Sequence, residues 1–392
     1  MTSSTPLLPL LVLLSLLSST ALAGPTPVDL MAKRGLFGPD KVENATLFNA
    51  LALATPSLAS PGKCIVDGVV TTRLTHYNAI VAGAARLAMR AVTAFIKSPE
   101  QSKHFNTIAP FFYAKGSEHD SVAYTVSLAP YATADIGVQA VESGEHGITA
   151  TPFTITNVDC KARTLAVSVN PGAGFAGAQV QVLQEQGITV VSDIDDTIKI
   201  TEVLNKGKAL QNTLINPFRA TAGMVDLYTR FRSTLDAEFI YLSGSPHMLY
   251  TPLRDFIAAA GYPAGSMFLN VFGLELSDHL DFFKGTMVHK LKVLRDVIPK
   301  FNKRAYVLVG DSGEQDPETY GTIYREMAGT GVDIKCIYIR KVTGVDAAVE
   351  AKQNADARFA AAFTGVPPSK VFTFFNPAEI PATADIKNGK CF

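Results

Sequence analysis

Over the second half of the chain, apolar positions alternate between two spacings. Residues 187–192, 238–242, 305–309 and 334–339 are short apolar runs of strand length. Between them the period lengthens to that of a helix. Met224, Val225, Leu227, Tyr228 and Phe231 form one stripe, and Leu249, Leu253, Phe256 and Ile257 form a second, closed by Gly261. Met287, Leu291, Leu294 and Ile298 form a third, ended by Pro299. Strand and helix in alternation predict an α/β unit with a doubly wound parallel sheet, whose ligands sit beyond the carboxyl ends of the strands. The texture before this unit differs. Runs at 121–128, 147–156, 164–169 and 178–183 are rich in Val, Thr and Ile, with turn residues such as Asn170-Pro171-Gly172 between them. They predict a smaller β-rich, sandwich-like domain. Residues 77–96 carry Ile80, Leu87, Val92 and Phe95 at helical spacing. The expected organisation is a signal peptide at 1–23, a leader or linker at 24–61 and a helix plus β-rich domain at 62–185. An α/β domain at 186–378 and a tail at 379–392 follow.

Composition supports this layout. The 392 residues suffice for two or three domains, and 47% hydrophobic with 18% charged residues exclude a disordered chain. Lys plus Arg and Asp plus Glu both number 35. A neutral total argues against nucleic acid as a partner and against binding an anionic membrane by bulk charge. At the N-terminus, Leu7 to Leu17 is nearly unbroken apolar sequence, followed by Ala21-Leu22-Ala23. That is the layout of a secretory signal cleaved before Gly24, although no Lys or Arg precedes Lys33. The apolar run is too short to span about 30 Å of hydrocarbon. The expected location is extracellular, the cell wall or the secretory lumen. Lys33-Arg34 reads either as a dibasic processing site or as an exposed charged pair. Cys64, Cys160, Cys336 and Cys391 are then an even set in an oxidising compartment, without metal-site spacing. The pairing Cys64–Cys160 and Cys336–Cys391 keeps each bridge within one half of the chain. Asn44-Ala45-Thr46 is a glycosylation sequon.

The chemistry lies at the ends of the predicted strands. The first runs into Asp193-Ile194-Asp195-Asp196-Thr197, the second into Ser243-Gly244-Ser245-Pro246, and the third into Gly310-Asp311-Ser312-Gly313-Glu314-Gln315-Asp316. This order resembles the haloacid dehalogenase (HAD) superfamily, with its D-x-D-x-[TV] and G-D-x-x-x-x-D motifs. The resemblance implies Asp193 as a nucleophile that forms an aspartyl-phosphate, and Asp195 as general acid and base. The acid role calls for a carboxyl whose pKa burial or negative neighbours have raised. It also implies Mg²⁺ held by Asp193, Asp311 and the backbone carbonyl of Asp195, supported by Asp316, with Ser243 and nearby amides on phosphate oxygens. A lysine must neutralise Asp193 and the phosphoryl group. Lys284 and Lys290 are the candidates, and Lys290 sits where the superfamily places it. The plainer readings are that Asp316 is a helix N-cap before Pro317 and that Ser245 and Thr197 make loop hydrogen bonds. Asp196, Glu202 and Glu314 read as solvated, and His247 and His289 as helix-end polar residues.

A narrower resemblance is carried by 192–201 (SDIDDTIKIT), 241–246 (YLSGSP), His289-Lys290, 309–320 (VGDSGEQDPETY) and 337–344 (IYIRKVTG). These are similar to the catalytic domain of fungal actin-patch-associated phosphatidate phosphatases. That implies Mg²⁺-dependent release of phosphate from phosphatidate, giving diacylglycerol. The signal peptide departs from an intracellular family, and no P-x-x-P occurs outside it. The alternatives are a secreted HAD-fold phosphatase for another phosphomonoester, or a non-catalytic secreted binding protein on the same scaffold. The gaps 198–237 and 247–290 are too short for a cap domain, so an uncapped site is expected. Lipid contact would rest on apolar loop residues such as Phe282 and Phe283 at a membrane surface.

Overall fold

The computed structural model describes residues 44–48, 50–77, 89–90, 92–112, 114–119, 123–127, 136–139, 142–169, 178–271, 285–381 and 384–392. The predicted signal peptide, Lys33-Arg34, most of the predicted helix at 77–96, the Phe282-Phe283 pair and Lys284 lie outside the described residues.

The N-terminal part is a sheet of nine strands: β1 (Asn44–Leu47), β2 (Ala50–Pro56), β3 (Lys63–Tyr77), β4 (Ala114–Gly116), β5 (Ala123–Ser127), β6 (Ile136–Gln139), β7 (Ile148–Asp159), β8 (Thr164–Val169) and β9 (Ala178–Gln184). Its main path runs β1-β3-β2-β9-β8-β5-β6, and the long β3 also pairs with β4 and β7. The pairings are antiparallel except that β2 and β9 run parallel. The expectation of a linker over 24–61 is corrected from Asn44 onward, because β1 and β2 lie there. Ala50, Ala52 and Ala54 alternate inward against Val66, Val70, Ile155 and Val180. Small residues serve there because the facing positions are large, and an alanine-rich strand reads as low-complexity sequence. The strand β3 was not foreseen at all. Cys64 of β3 is bridged to Cys160 just past β7, and Cys336 to Cys391, as the sequence led us to expect.

The second part is α/β. Six parallel strands, β10 (Ile188–Ser192), β11 (Glu238–Pro246), β12 (Gly265–Asn270), β13 (Ala305–Asp311), β14 (Asp333–Arg340) and β15 (Val371–Phe374), lie in the order β12-β11-β10-β13-β14-β15. The chain builds outward from β10 on one side and from β13 on the other. Its topological switch therefore falls between these two strands, where such sheets bind ligands. Strand side chains alternate between faces. Val190, Phe239, Tyr241, Val307 and Tyr338 pack with Tyr228, Phe231 and Leu253 on one side. Val191, Ile240, Leu242, Leu308 and Ile339 pack with Leu294, Ile298, Tyr320 and Phe359 on the other. Both faces being covered explains why these strands read as solid apolar runs.

The predicted helices form as Met224–Leu235, Tyr250–Ala260 and Thr286–Lys300. Gly261, at φ 87°, caps the second. The third runs one residue past Pro299, whose ring falls in the last turn. The two parts join at the edge strand β12, where Ser266 donates its N–H to Gln181 Oε1 (2.8 Å) and its Oγ–H to Ala50 O (3.0 Å). Among the described residues, no helix is long and apolar enough to cross a membrane.

Candidate active site

Asp193 follows β10 directly, and its N–H donates to Val309 O of β13 (2.9 Å), so the strand pairing carries the residue to the switch point. Asp311 ends β13 alongside it. Asp316 opens the helix Asp316–Met327, and its Oδ2 accepts the Asp311 N–H (3.1 Å). That close return depends on Gly310, where a Cβ would lie 2.4 Å from Asp316 Oδ2. Lys290 stands in the second turn of Thr286–Lys300. Helical side chains lean toward the N-terminus, which carries its ammonium to the strand ends. Lys290 Nζ donates to Asp193 Oδ1 (2.7 Å), Asp316 Oδ1 (2.5 Å) and Glu314 Oε2 (3.0 Å). Asp193, Asp311 and Asp316 each offer a carboxylate oxygen within 4.8 Å of the others, and all three side chains are fully buried.

Three buried carboxylates thus pair with one ammonium, and a fourth, Asp311, stands in the same cluster. Burial, and then the neighbouring acids Asp316 and Glu314, push Asp311 well above the usual carboxylate range. Asp193 is raised too, chiefly by burial, although Lys290 opposes the rise. Glu314 is pushed up to about 7 by burial, again against Lys290. Burial disfavours the Lys290 ammonium, but Asp193, Asp316 and Glu314 outweigh it and hold the lysine well above its ordinary value. Asp193 Oδ2 is buried with no hydrogen-bond partner. An orphaned carboxylate oxygen in an over-acidic, oxygen-only cluster fits a hard divalent cation.

A pH dependence follows. A carboxyl with a raised folded-state pKa stabilises the fold fully below its unfolded value and loses that contribution as pH rises through the folded one. For Glu314 the window runs from 4.5 to about 7, and Asp193 and Asp311 act in the same direction. Metal-free protein is expected to lose on the order of a few kcal/mol between pH 5 and pH 8. Thermal melts with chelator should show this fall, and millimolar Mg²⁺ at pH 8 should reverse most of it.

Asp195 departs from the expectation. Its carboxylate is 1% exposed yet fully satisfied: Oδ1 takes Lys199 Nζ (2.9 Å) and Thr201 Oγ1 (2.7 Å), and Oδ2 takes Ser243 Oγ (2.8 Å) and Ser245 Oγ (2.7 Å). Burial alone would raise its pKa, but the Lys199 ammonium and these hydrogen bonds prevail and hold it at about 2. The raised pKa expected of an acid is therefore corrected to a lowered one. Ser243, expected on a phosphate, spends its proton on Asp195 and accepts the Ser245 N–H (2.8 Å).

Other plain readings also change. Asp196, read as solvated, is buried at φ 58° and accepts the N–H groups of Thr201, Glu202 and Val203. Glu314, also read as solvated, is buried on Lys290. Glu202 is half-buried and accepts from Lys208 (3.2 Å) and Asn212 (2.9 Å). Asp316 is not the N-cap: Gln315 holds that position, and Asp316 turns back to Asp311 and Lys290 instead. Thr197 Oγ1 donates to Asp311 Oδ2 (3.3 Å), and Ser245 to Asp195, so both hydroxyls serve site carboxylates rather than the loop alone. His247 is buried at the start of the short turn His247–Leu249. His289 lies inside its helix, with burial pulling its pKa down to about 4. The residue that sequence reasoning passed over is Lys199. A lysine between isoleucines in Ile198-Lys199-Ile200, six positions past Asp193, was the available signal.

The model of the family described as "Phosphatidate phosphatase APP1, catalytic domain" matches residues 188–341. Phosphatidate phosphatase APP1 of Saccharomyces cerevisiae is 32% identical over 161 residues, which is 39% of this chain and 26% of that protein. An uncharacterized protein of Schizosaccharomyces pombe is 32% identical over 181 residues, 45% of this chain and 29% of its own length. The chain therefore matches under a third of the length of these curated relatives. Among solved structures, a carbohydrate esterase aligns over 85% of this chain and 99% of that one, at 8% identity and a TM-score of 0.21, too low for any structural conclusion. The matched segment begins with β10 and ends just past β14, so it contains Asp193, Asp195, Ser243, Lys290, Asp311 and Asp316. What the comparisons show is that residues 188–341, the α/β segment that carries the site, are similar to the phosphatidate phosphatase APP1 catalytic domain.

Proposed function

We propose that the protein is a secreted, Mg²⁺-dependent phosphatase of the HAD type that hydrolyses phosphatidate through an aspartyl-phosphate. The observation that carries this reading is the buried Asp193–Asp311–Asp316 cluster with Lys290, at the carboxyl edge of a parallel sheet. Asp193, Asp311 and the Asp195 carbonyl, with Asp316 in support, would hold Mg²⁺, which supplies charge to offset the phosphoryl oxygens. Asp193 forms a bond to phosphorus as the ester oxygen leaves, and Asp195 gives that oxygen a proton. Water then attacks phosphorus, Asp195 takes the water's proton, and the Asp193–phosphorus bond breaks. Lys290 aligns Asp193 and favours its ionised form against the pull of burial. The resting Asp195, a carboxylate held by four donors, is set for the base half. For the acid half, incoming phosphate must draw off the Ser243 and Ser245 hydroxyls so that Asp195 can take up a proton.

The apolar run Leu7–Leu17 and the two disulfides support a secretory route. The short gaps between motifs support a substrate presented on something large, although all the site carboxylates are buried and the substrate must open a way to them. A panel with Mg²⁺ tests the reading. Phosphatidate in mixed micelles should be turned over at least tenfold more efficiently than soluble sugar phosphates. Equal efficiency on a sugar phosphate would move the chain to the soluble phosphatases, and no Mg²⁺-dependent turnover of any phosphomonoester would defeat the reading altogether.

A further inference from the structure

The acidic loop after β13 is held by residues that lie beyond the matched catalytic segment. Arg358, on the short helix Asp356–Ala362, spreads its guanidinium over this loop. Nη1 donates to Ser312 O (2.6 Å) and to Gln353 O (2.9 Å), and Nη2 donates to Glu314 O (2.6 Å). The carboxylate of Glu318 takes Nε (2.8 Å) and Nη2 (2.9 Å), which fixes the plane of the fork. A second stake stands beside it. Asn354 bridges Ser312 Oγ (2.6 Å) and Val342 O (2.9 Å), and Val342 N–H donates to the same hydroxyl (2.9 Å). Ser312 and Glu314 lie between Asp311 and Asp316: Asp311 precedes Ser312, and Asp316 lies two beyond Glu314. Pinning the carbonyls of Ser312 and Glu314 therefore sets where the Asp311 and Asp316 carboxylates stand.

We infer that Arg358 is a positioning residue for the divalent-cation site, and that the functional unit extends past residue 341 to the helix that carries it. It touches neither the cation nor the substrate. The inference rests on the metal reading proposed above. The physical reason is preorganisation: four mutually repelling carboxylates spread apart unless the backbone between them is held, and a cation that must regather them binds more weakly. A lysine in this place keeps the charge but has no planar fork to serve two carbonyls and a carboxylate at once.

The test is direct cation binding, by calorimetric titration of Mn²⁺ and Mg²⁺ into the full-length folded protein, well below its melting temperature. R358Q and R358K are each expected to weaken binding by a factor of 10–100, the range usual when an outer partner of a metal ligand is lost. E318Q, which loosens the fork without removing it, is expected to show a smaller loss. N354A, which removes the Ser312 hydroxyl and Val342 carbonyl contacts and leaves the Arg358 fork in place, should also weaken binding, and it carries the test if R358Q does not fold. Unchanged Mn²⁺ affinity in R358Q, or in N354A where R358Q does not fold, with only a lowered melting temperature, overturns the inference and leaves the proposed reaction standing. A wild-type protein that binds no divalent cation overturns both.

Discussion

Asp193→Asn is expected to lower phosphate release by a factor on the order of 10⁴ or more while leaving the protein at least as stable as the wild type. The activity loss follows from chemistry: an amide oxygen does not form the acyl-phosphate. The stability expectation follows from the surroundings. Asp193 is fully buried beside Asp311, Asp316 and Glu314, and its raised pKa shows that its charge is a burden to the metal-free fold. Removing that charge leaves Lys290 paired with Asp316 and Glu314. Phosphate release and a thermal melt on the same sample check both halves. Near-wild-type turnover would end the aspartyl-phosphate reading.

Lys290→Met gives the opposite pattern, losing both activity and stability. Its ammonium is the shared partner of Asp193, Glu314 and Asp316. Breaking a buried ion pair by removing one member typically costs about 3–5 kcal/mol, because the other charge stays buried without a partner. Turnover should fall by a factor on the order of 10³ as the transferring phosphoryl group loses its fixed cation. Mg²⁺ should recover part of the melting temperature, since it also neutralises the cluster, but not the turnover. A variant as stable as wild type without metal would show that the four carboxylates are not ionised together, and the charge account would need revision.

These expectations divide along what was legible in the sequence. The α/β unit was readable because its strands are buried on both faces and stand out as apolar runs, while its helices carry one apolar stripe each. The β-rich part was only half readable. Strand β2 turns its alanines inward and leaves leucines between them, so its alternation carries no apolar–polar contrast, and β3 changes partners along its fifteen residues. Both disulfide pairings followed from keeping each bridge local.

In the site, the order of the motifs put Asp193 and the segment 310–316 at neighbouring strand ends, because a parallel sheet brings its carboxyl ends together whatever the loops do, and the superfamily resemblance singled out Asp311 and Asp316 within that segment. What the sequence could not decide was the electrical state of each carboxyl. Asp193 and Asp195 are two residues apart, yet one is raised and the other held at about 2. The difference arises from Lys199, Thr201, Ser243 and Ser245 closing on Asp195, while Asp193 shares one lysine with Glu314 and Asp316. A pKa is a sum over near neighbours in space, and those neighbours lie up to 50 residues from Asp195 and up to 123 residues from Asp193 along the chain. The residue types that carry the chemistry were therefore determined by the sequence itself. Which of them is charged, and which helix beyond the motifs holds them in place, was decided only when the chain folded.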